Sequence, residues 1–187
     1  MAYIAEYIKK RHNNANCIRT GEIFPTNTAP VIAELNNEIA AELFVWGFPK
    51  FKGNGVIINA RSETASEKPS FRSSLIERRC VIPSTGFYEW KHDGTNKKYK
   101  FNLPYLENLY MAGIWNEYNG ERRYVILTAA ANRSMSGIHD RMPVIIPKSE
   151  IKRWILDTDA AMDMLRDTQP ELEAVSADDT GEQMSLW

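Results

Sequence analysis

The 187-residue sequence contains only two cysteines, Cys17 and Cys80, far apart and outside any C-x-x-C pattern. That excludes a disulfide scaffold and a cysteine-based zinc site, and it suits a reducing, cytoplasmic setting. There is no apolar run of about 18 residues, so no membrane span is expected. The N-terminus lacks the apolar block of a secretion signal. Surplus charge is also missing. The net charge is −1, so the surface as a whole does not attract nucleic acid, although a local basic groove remains compatible with that sum. Internal repeats and low-complexity segments are absent. What is present is ordinary globular composition, 43% hydrophobic and 25% charged. It suits a single domain over residues 1–172. Residues 173–187 turn acidic and small after Pro170 and are expected to be a flexible tail.

The pattern of hydrophobic residues predicts several hairpins with helices at the edges. A helix is expected over Ala2 to Arg11, with Ile4, Tyr7, Ile8 and Arg11 on one stripe. Gly21 to Pro30 reads as loop, Val31 to Leu35 and Ala40 to Trp46 as strands around an Asn36-Asn37 turn, and Gly47 to Gly55 as loop. Ile57 to Glu63 is expected as a strand that runs from apolar to polar. A helix over Ser66 to Arg78 follows, with Pro69 in its first turn. Strands are expected at Arg79 to Pro83, Gly86 to His92, Lys97 to Asn102, Leu109 to Trp115 and Arg122 to Ala130. Asp93-Gly94 and Asn119-Gly120 supply turns. Asn132 to Arg141 is a polar loop before a short strand, Pro143 to Ile146. Two helices, starting near Ser149 and Thr158, close the domain. The fold class is α+β, a strongly curved, largely antiparallel sheet with peripheral helices.

Three stretches carry residues suited to chemistry. On the Ile57 strand, alternation puts Asn59, Arg61 and Glu63 on one face, either as the floor of a site or as a structural Asn with an ion pair. In G-F-Y-E-W, Gly86 to Trp90, a carboxyl sits among aromatic rings. Desolvation there raises its pKa, the condition of a general acid or base. A sheet-edge Glu paired with an Arg is the alternative. In I-H-D-R-M-P, Ile138 to Pro143, His139 lies in a loop entering a strand. His12 and His92 read as solvated. Arg61, Arg141, Arg78-Arg79 and the Lys97, Lys98, Lys100 set are candidate phosphate contacts, or simply a solvated face. Trp46, Phe48 and Phe51 flank a glycine-rich loop, where exposed aromatics stack on bases and buried ones pack the core.

Five motifs in order, F-V-W-G-F-P, I-N-A-R-S-E-T, R-R-C-V-I-P-S-T-G-F-Y-E-W, M-A-G-I-W and I-H-D-R-M-P-V-I-I, resemble those of the SOS response-associated peptidase (SRAP) family. The resemblance runs from about Phe24 to Trp154. It implies the family's α+β architecture, with a barrel-like sheet core and peripheral helices. It also implies recognition of abasic sites in single-stranded DNA, as part of the DNA damage and SOS response. In such proteins an N-terminal cysteine, exposed once the initiator methionine is removed, condenses with the ring-opened sugar to give a thiazolidine crosslink. An autopeptidase activity is ascribed to the family. By motif, Asn59 would position the reacting N-terminus, Glu89 would be the acid/base and His139 would stabilise the opened sugar. Arg61 and Arg141 would hold phosphates, and the Trp46-Gly47 loop would act as a wedge. No metal or cofactor is implied. Cytoplasmic location, at the nucleoid during repair, is the corresponding expectation.

Family members begin Met-Cys-Gly-Arg, whereas this sequence begins Met-Ala-Tyr-Ile. A first segment carrying the cysteine is expected upstream, because Asn59, Glu89 and His139 are all kept. Without it the chain is expected to bind single-stranded DNA non-covalently, as a degenerate member would. A protease acting on other polypeptides is a third reading. The last residues, Gln183-Met184-Ser185-Leu186-Trp187, resemble the bacterial sliding-clamp-binding pentapeptide. Gln183 would supply hydrogen bonds, with Leu186 and Trp187 as anchors. Packing of this end back onto the domain is the alternative.

Overall fold

A computed structural model describes residues 2–11 and 21–177. His12, Cys17 and the Gln183–Trp187 motif lie outside the described residues. Helix α1 (Ala2–Arg11) precedes strands β1 (Thr28–Leu35) and β2 (Glu38–Trp46), which form a hairpin through Asn36 and Asn37. Both turn residues have positive φ, at 55° and 65°. That backbone matches the right-handed twist of the flanking strands, and Asn tolerates it better than most residues. Then follow β3 (Phe48–Pro49), β4 (Val56–Ile57), β5 (Asn59–Arg61), α2 (Ser62–Ala65), α3 (Pro69–Glu77) and β6 (Arg79–Ser84). Next come β7 (Phe87–Trp90), β8 (Lys98–Asn102), β9 (Leu109–Tyr118), β10 (Glu121–Ala130) and β11 (Arg141–Pro143). Helices α4 (Ile151–Leu156) and α5 (Thr158–Met164) and strand β12 (Glu173–Ser176) complete the described chain.

The fold is α+β, as the hairpin pattern implies. Five strands close into a barrel in the order β10-β2-β1-β6-β9 and back to β10. Most pairs are antiparallel, but β10 runs parallel to β2 and to β5. Closure abolishes free edges along those strands. Alternation along β9 and β10 divides the core in two. Met111, Tyr124 and Ile126 point inward with Val31, Phe44, Cys80 and Ile82. Ala112, Ile114, Val125 and Leu127 point outward and are covered by α3, α4 and α5. Gly113 marks the tightest point inside. A Cβ there would lie 2.4 Å from Ile82 Cδ1 and 3.1 Å from Cys80 Sγ. Cys80 is completely buried, and burial raises its thiol pKa, so it is the small hydrophobe that its apolar context predicts.

Arg79 does not reach solvent, contrary to its inclusion among the phosphate candidates. It is 4% exposed. Its guanidinium donates to the carbonyls of Leu75 (2.9 Å) and Ile76 in α3 and of Trp154 (2.7 Å) and Ile155 (3.0 Å) in α4. These are the orphan carbonyls of two helix C-termini, where a cation also meets the negative end of each helix dipole.

Three further expectations change. The helix expected from Ser66 begins at Pro69, because a residue before proline is pushed out of helical geometry. Chain order also fails for Glu63, which lies in α2 and not on a strand. Glu173–Ser176, placed in the tail by composition, pairs as β12 with β8, Glu173 opposite Asn102 and Ser176 opposite Tyr99. Backbone pairing there overrides the weak side-chain pattern.

Candidate functional site

Strand β10 outruns its barrel partners. Over Arg123 and Tyr124 it pairs with β2, and up to Ile126 with β9. Beyond that, β5 takes one side, with Asn59 opposite Ile126 and Arg61 opposite Thr128, and β11 takes the other, with Arg141 opposite Ala130. Directly opposed residues share a face. Asn59, Arg61 and Arg141 therefore stand on the same face as Ile126 and Thr128, while Ala60 turns into the covered core. Asn59 and Arg61 are exposed. Among the described residues the Arg61 side chain makes no hydrogen bond or ion pair.

Arg141 is engaged. Its Nη1 and Nη2 meet Glu63 Oε1 and Oε2 at 2.7 and 2.8 Å, and Nη2 also donates to the Thr128 carbonyl at 2.5 Å. The Arg141 guanidinium holds the Glu63 carboxyl down at about 2. The structural reading of the Asn59–Glu63 stretch, an ion pair, is thus correct in kind. Its cation is Arg141 and not the neighbouring Arg61.

The backbone N–H of Arg141 donates to His139 Nδ1 at 3.0 Å. The same nitrogen lies 3.2 Å from the Arg141 carbonyl and 3.3 Å from Asp140 Oδ1. An amide N–H is an obligate donor, so its contact decides the assignment: Nδ1 accepts, and the proton of the neutral ring sits on Nε2. The ring is largely buried, with its side chain 20% exposed.

Glu89 reaches the same place from the three-stranded sheet β12-β8-β7. Phe87 and Glu89 share the face of β7 opposite Phe101 and Tyr99. Phe87 stacks on Phe101 with ring centroids 5.3 Å apart, and this face packs with Met135 and Ile138 of the polar loop and Met142 of β11. Burial raises the Glu89 pKa, while His139 and then His92 oppose the rise and Asp140 adds to it. The aromatic setting of G-F-Y-E-W predicts this direction. Glu89 and His139, 50 positions apart in sequence, are thereby within electrostatic reach of each other.

His92 belongs to the cluster, against the reading of it as merely solvated. It is exposed, but its ring meets His139 edge-on at 4.8 Å between centroids, and its backbone N–H donates to Ile138 O at 3.4 Å. The sequence signal was slight: His92 stands three residues after Glu89, just past the end of the strand.

Trp46 and Gly47 are packed. The Trp46 indole stacks on Tyr124 at 6.3 Å and donates Nε1–H to Ile58 O at 3.0 Å. Gly47 is buried at φ +112°, and a Cβ there would lie 2.8 Å from Val56. Lys98, another phosphate candidate, contacts both carboxyl oxygens of Glu22 at 2.7 Å. Among the described residues no His/Cys/Asp/Glu group has the arrangement to hold a metal ion. An open cleft of about 700 Å³, lined by Leu103, Tyr110, Ile145 and Met164, includes none of Asn59, Glu89 or His139.

Several known proteins resemble this chain. The abasic site processing protein YoqW of Bacillus subtilis is 41% identical over 130 residues, covering 66% of this chain and 57% of that protein. The abasic site processing protein HMCES of Xenopus tropicalis is 31% identical over 123 residues, covering 52% of this chain and 37% of its own. The chain spans about half the length, or less, of these curated relatives. A crystal structure of a protein from Bacteroides thetaiotaomicron superimposes with a TM-score of 0.72 at 25% identity, covering 94% of this chain and 87% of that one. The model of the family described as SOS response associated peptidase matches residues 2–180, and the chain accordingly belongs to the SRAP family.

Proposed function

We propose that this protein recognises abasic sites in single-stranded DNA, with the opened sugar aldehyde lying between Glu89 and His139. The carrying observation is a carboxyl whose pKa burial raises, within electrostatic reach of an imidazole whose Nδ1 accepts from a backbone N–H, so that its neutral form carries its proton on Nε2. A carboxyl that holds its proton more tightly than usual and an imidazole N–H suit an aldehyde that must be polarised and then lose its oxygen as water. Arg61, exposed and without a described partner, takes a phosphate next to the lesion. Asn59, on the same face, positions the attacking group. The names of the relatives YoqW and HMCES favour the abasic site as substrate.

The covalent step of this proposal uses an N-terminal cysteine. Its amine adds to the aldehyde carbon, the adduct loses water to form an imine, and the thiol adds across the C=N bond to close a thiazolidine. Glu89 protonates the departing oxygen. Removal of an initiator methionine by the same site belongs to the proposal. The test is single-stranded DNA with one abasic site, run on a denaturing gel. A chain carrying Met-Cys-Gly-Arg ahead of Ala2 is expected to give a denaturation-resistant band, and Glu89→Gln and His139→Ala to slow its appearance. The chain beginning Met1-Ala2 is expected to bind without crosslinking. No band from the extended chain contradicts the covalent step, and a band from the shorter one contradicts its dependence on the cysteine.

The sequence Gln183-Met184-Ser185-Leu186-Trp187 supports a second partner, the bacterial sliding clamp, with two apolar anchors and one amide. A peptide of these five residues is expected to bind the clamp, and no binding at high micromolar clamp concentration removes the idea. These partners place the protein in the cytoplasm, at the nucleoid. Among the described residues no helix is long and apolar enough to cross a membrane.

A further inference from the structure

We propose that His92 is a positioning residue for His139, holding that imidazole so that its Nε2–H faces the opened sugar. This inference rests on the abasic-site reading of the Glu89–His139 cluster, and it gives a role to a residue outside the five sequence motifs. The backbone N–H of Arg141 holds His139 Nδ1 at 3.0 Å, which leaves Nε2 as the nitrogen for a substrate. One hydrogen bond fixes one point of a flat ring and leaves its tilt about that point open. The ring of His92 closes this freedom. It meets the His139 ring edge-on, with 4.8 Å between centroids and 64° between planes. Aromatic pairs favour this arrangement, the edge of one ring against the face of the other.

The placement of His92 is itself built. Its turn between β7 and β8 is braced on both sides. Lys91 N donates to Lys97 O at 2.9 Å, the Lys91 ammonium meets Asp93 Oδ2 at 2.8 Å, and Asp93 Oδ1 accepts from Thr95 N at 3.0 Å. His92 N donates to Ile138 O at 3.4 Å, the carbonyl just before His139. An exposed turn thus lays a ring against a histidine whose side chain is only 20% exposed. Glu89, three residues before His92 in the same hairpin, lies within electrostatic reach of both imidazoles. The hairpin therefore carries the carboxyl and the wall of the imidazole on one braced piece, and the polar loop carries the imidazole. An aldehyde between Glu89 and His139 depends on that spacing, since a misplacement of about 1 Å costs roughly a hundredfold in rate.

The first test uses the full chain without DNA, its histidine rings labelled with 15N, and a His139 signal assigned by its loss in His139→Ala. The wild type is expected to show one tautomer of His139, with Nδ1 as acceptor and Nε2 protonated. His92→Ala is expected to move both nitrogens toward a mixture of tautomers. His92→Phe, which keeps a ring edge and has no proton to give, is expected to restore the wild-type spectrum. The second test is the denaturation-resistant band from the chain extended by Met-Cys-Gly-Arg. His92→Ala is expected to slow it about tenfold, within the range for lost orientation, and His92→Phe to restore most of the rate. Affinity for an intact single strand and the melting temperature are expected to stay at their wild-type values. A His92→Ala rate equal to wild type overturns this inference alone. Equal slowing in His92→Ala and His92→Phe gives His92 a proton-carrying role and overturns positioning. Weaker binding of the intact strand by His92→Ala makes His92 a DNA contact and overturns it as well. No band from the extended wild type contradicts the covalent reading, and the spectrum then decides: mixed tautomers in His92→Ala uphold the hold on His139, and an unchanged spectrum overturns it.

Discussion

Glu63 and Arg141, 78 positions apart in sequence, form a two-armed ion pair at 2.7 and 2.8 Å, and the backbone N–H of the same arginine holds His139 Nδ1. The pair thus ties α2 to the loop that carries His139. In the proposed reading Arg141 is then a positioning residue, and Arg61 is the proposed phosphate contact. Glu63→Gln is expected to slow reaction at the site without changing the salt slope of DNA binding, whereas Arg61→Gln is expected to lower that slope by about 0.7. The Glu63 side chain is 49% exposed, so the pair contributes only about 1 kcal/mol to stability. The sign follows from the depressed pKa, about 2 against the ordinary 4.5. The contribution is present above pH 4.5 and is lost as pH falls through 2. Denaturation midpoints of wild type and Glu63→Gln compared across that window check it.

Glu89 behaves in the opposite sense. Its pKa is raised by burial, so the folded protein holds the proton more tightly than the unfolded chain. Stability then falls as pH rises through the raised pKa. Glu89→Gln is expected to melt at a higher temperature than wild type at neutral pH, with the difference vanishing below pH 4.5, the ordinary carboxyl value. The same variant is expected to lose the corresponding limb of the pH–rate profile of crosslinking.

Arg79 is the main polar tie between β6 and the helical layer. Arg79→Ala leaves four helix-end carbonyls without their donor. A loss of about 3–5 kcal/mol is expected by chemical denaturation, the range for breaking a buried charged contact from one side. DNA affinity of the folded fraction is expected to be unchanged, because the guanidinium is not at the surface.

Gly47→Ala tests the base of the β3–β4 hairpin, which leads into Asn59 and Arg61. The left-handed φ and the 2.8 Å approach to Val56 predict a loss of about 1–3 kcal/mol. Because the strain falls where the hairpin leaves the barrel, binding of single-stranded DNA is expected to weaken as well. Gly53→Ala, with nothing within 4 Å of its Cβ, is the milder comparison in the same loop.

Local chemistry was legible in the sequence and lateral chemistry was not. The hairpins through Asn36-Asn37 and Asn119-Gly120 follow from residues that accept positive φ, and all four adopt it. The raised pKa of Glu89 follows from aromatic neighbours within five residues. The pairing of β5 with β10 leaves no trace in either segment, because a parallel ladder between distant strands has no turn to announce it. That pairing sets Arg61 beside Thr128, and hence near Arg141. Sequence likewise set Arg79 among the candidate phosphate contacts and left Trp46 open between base stacking and core packing, since the helix carbonyls around one and Tyr124 beside the other are distant in sequence. His92 was missed because edge contact with His139 depends on how the β7–β8 turn meets the polar loop.

The most direct test of the central claim is the affinity of this chain for one single-stranded oligonucleotide with and without a single abasic site, by fluorescence anisotropy at one fixed salt concentration. Recognition through the Glu89–His139 cluster predicts tighter binding of the abasic strand by about tenfold, or 1.4 kcal/mol, with the preference removed in a Glu89→Gln, His139→Ala double variant. Equal affinity of the wild type for the two strands would contradict it.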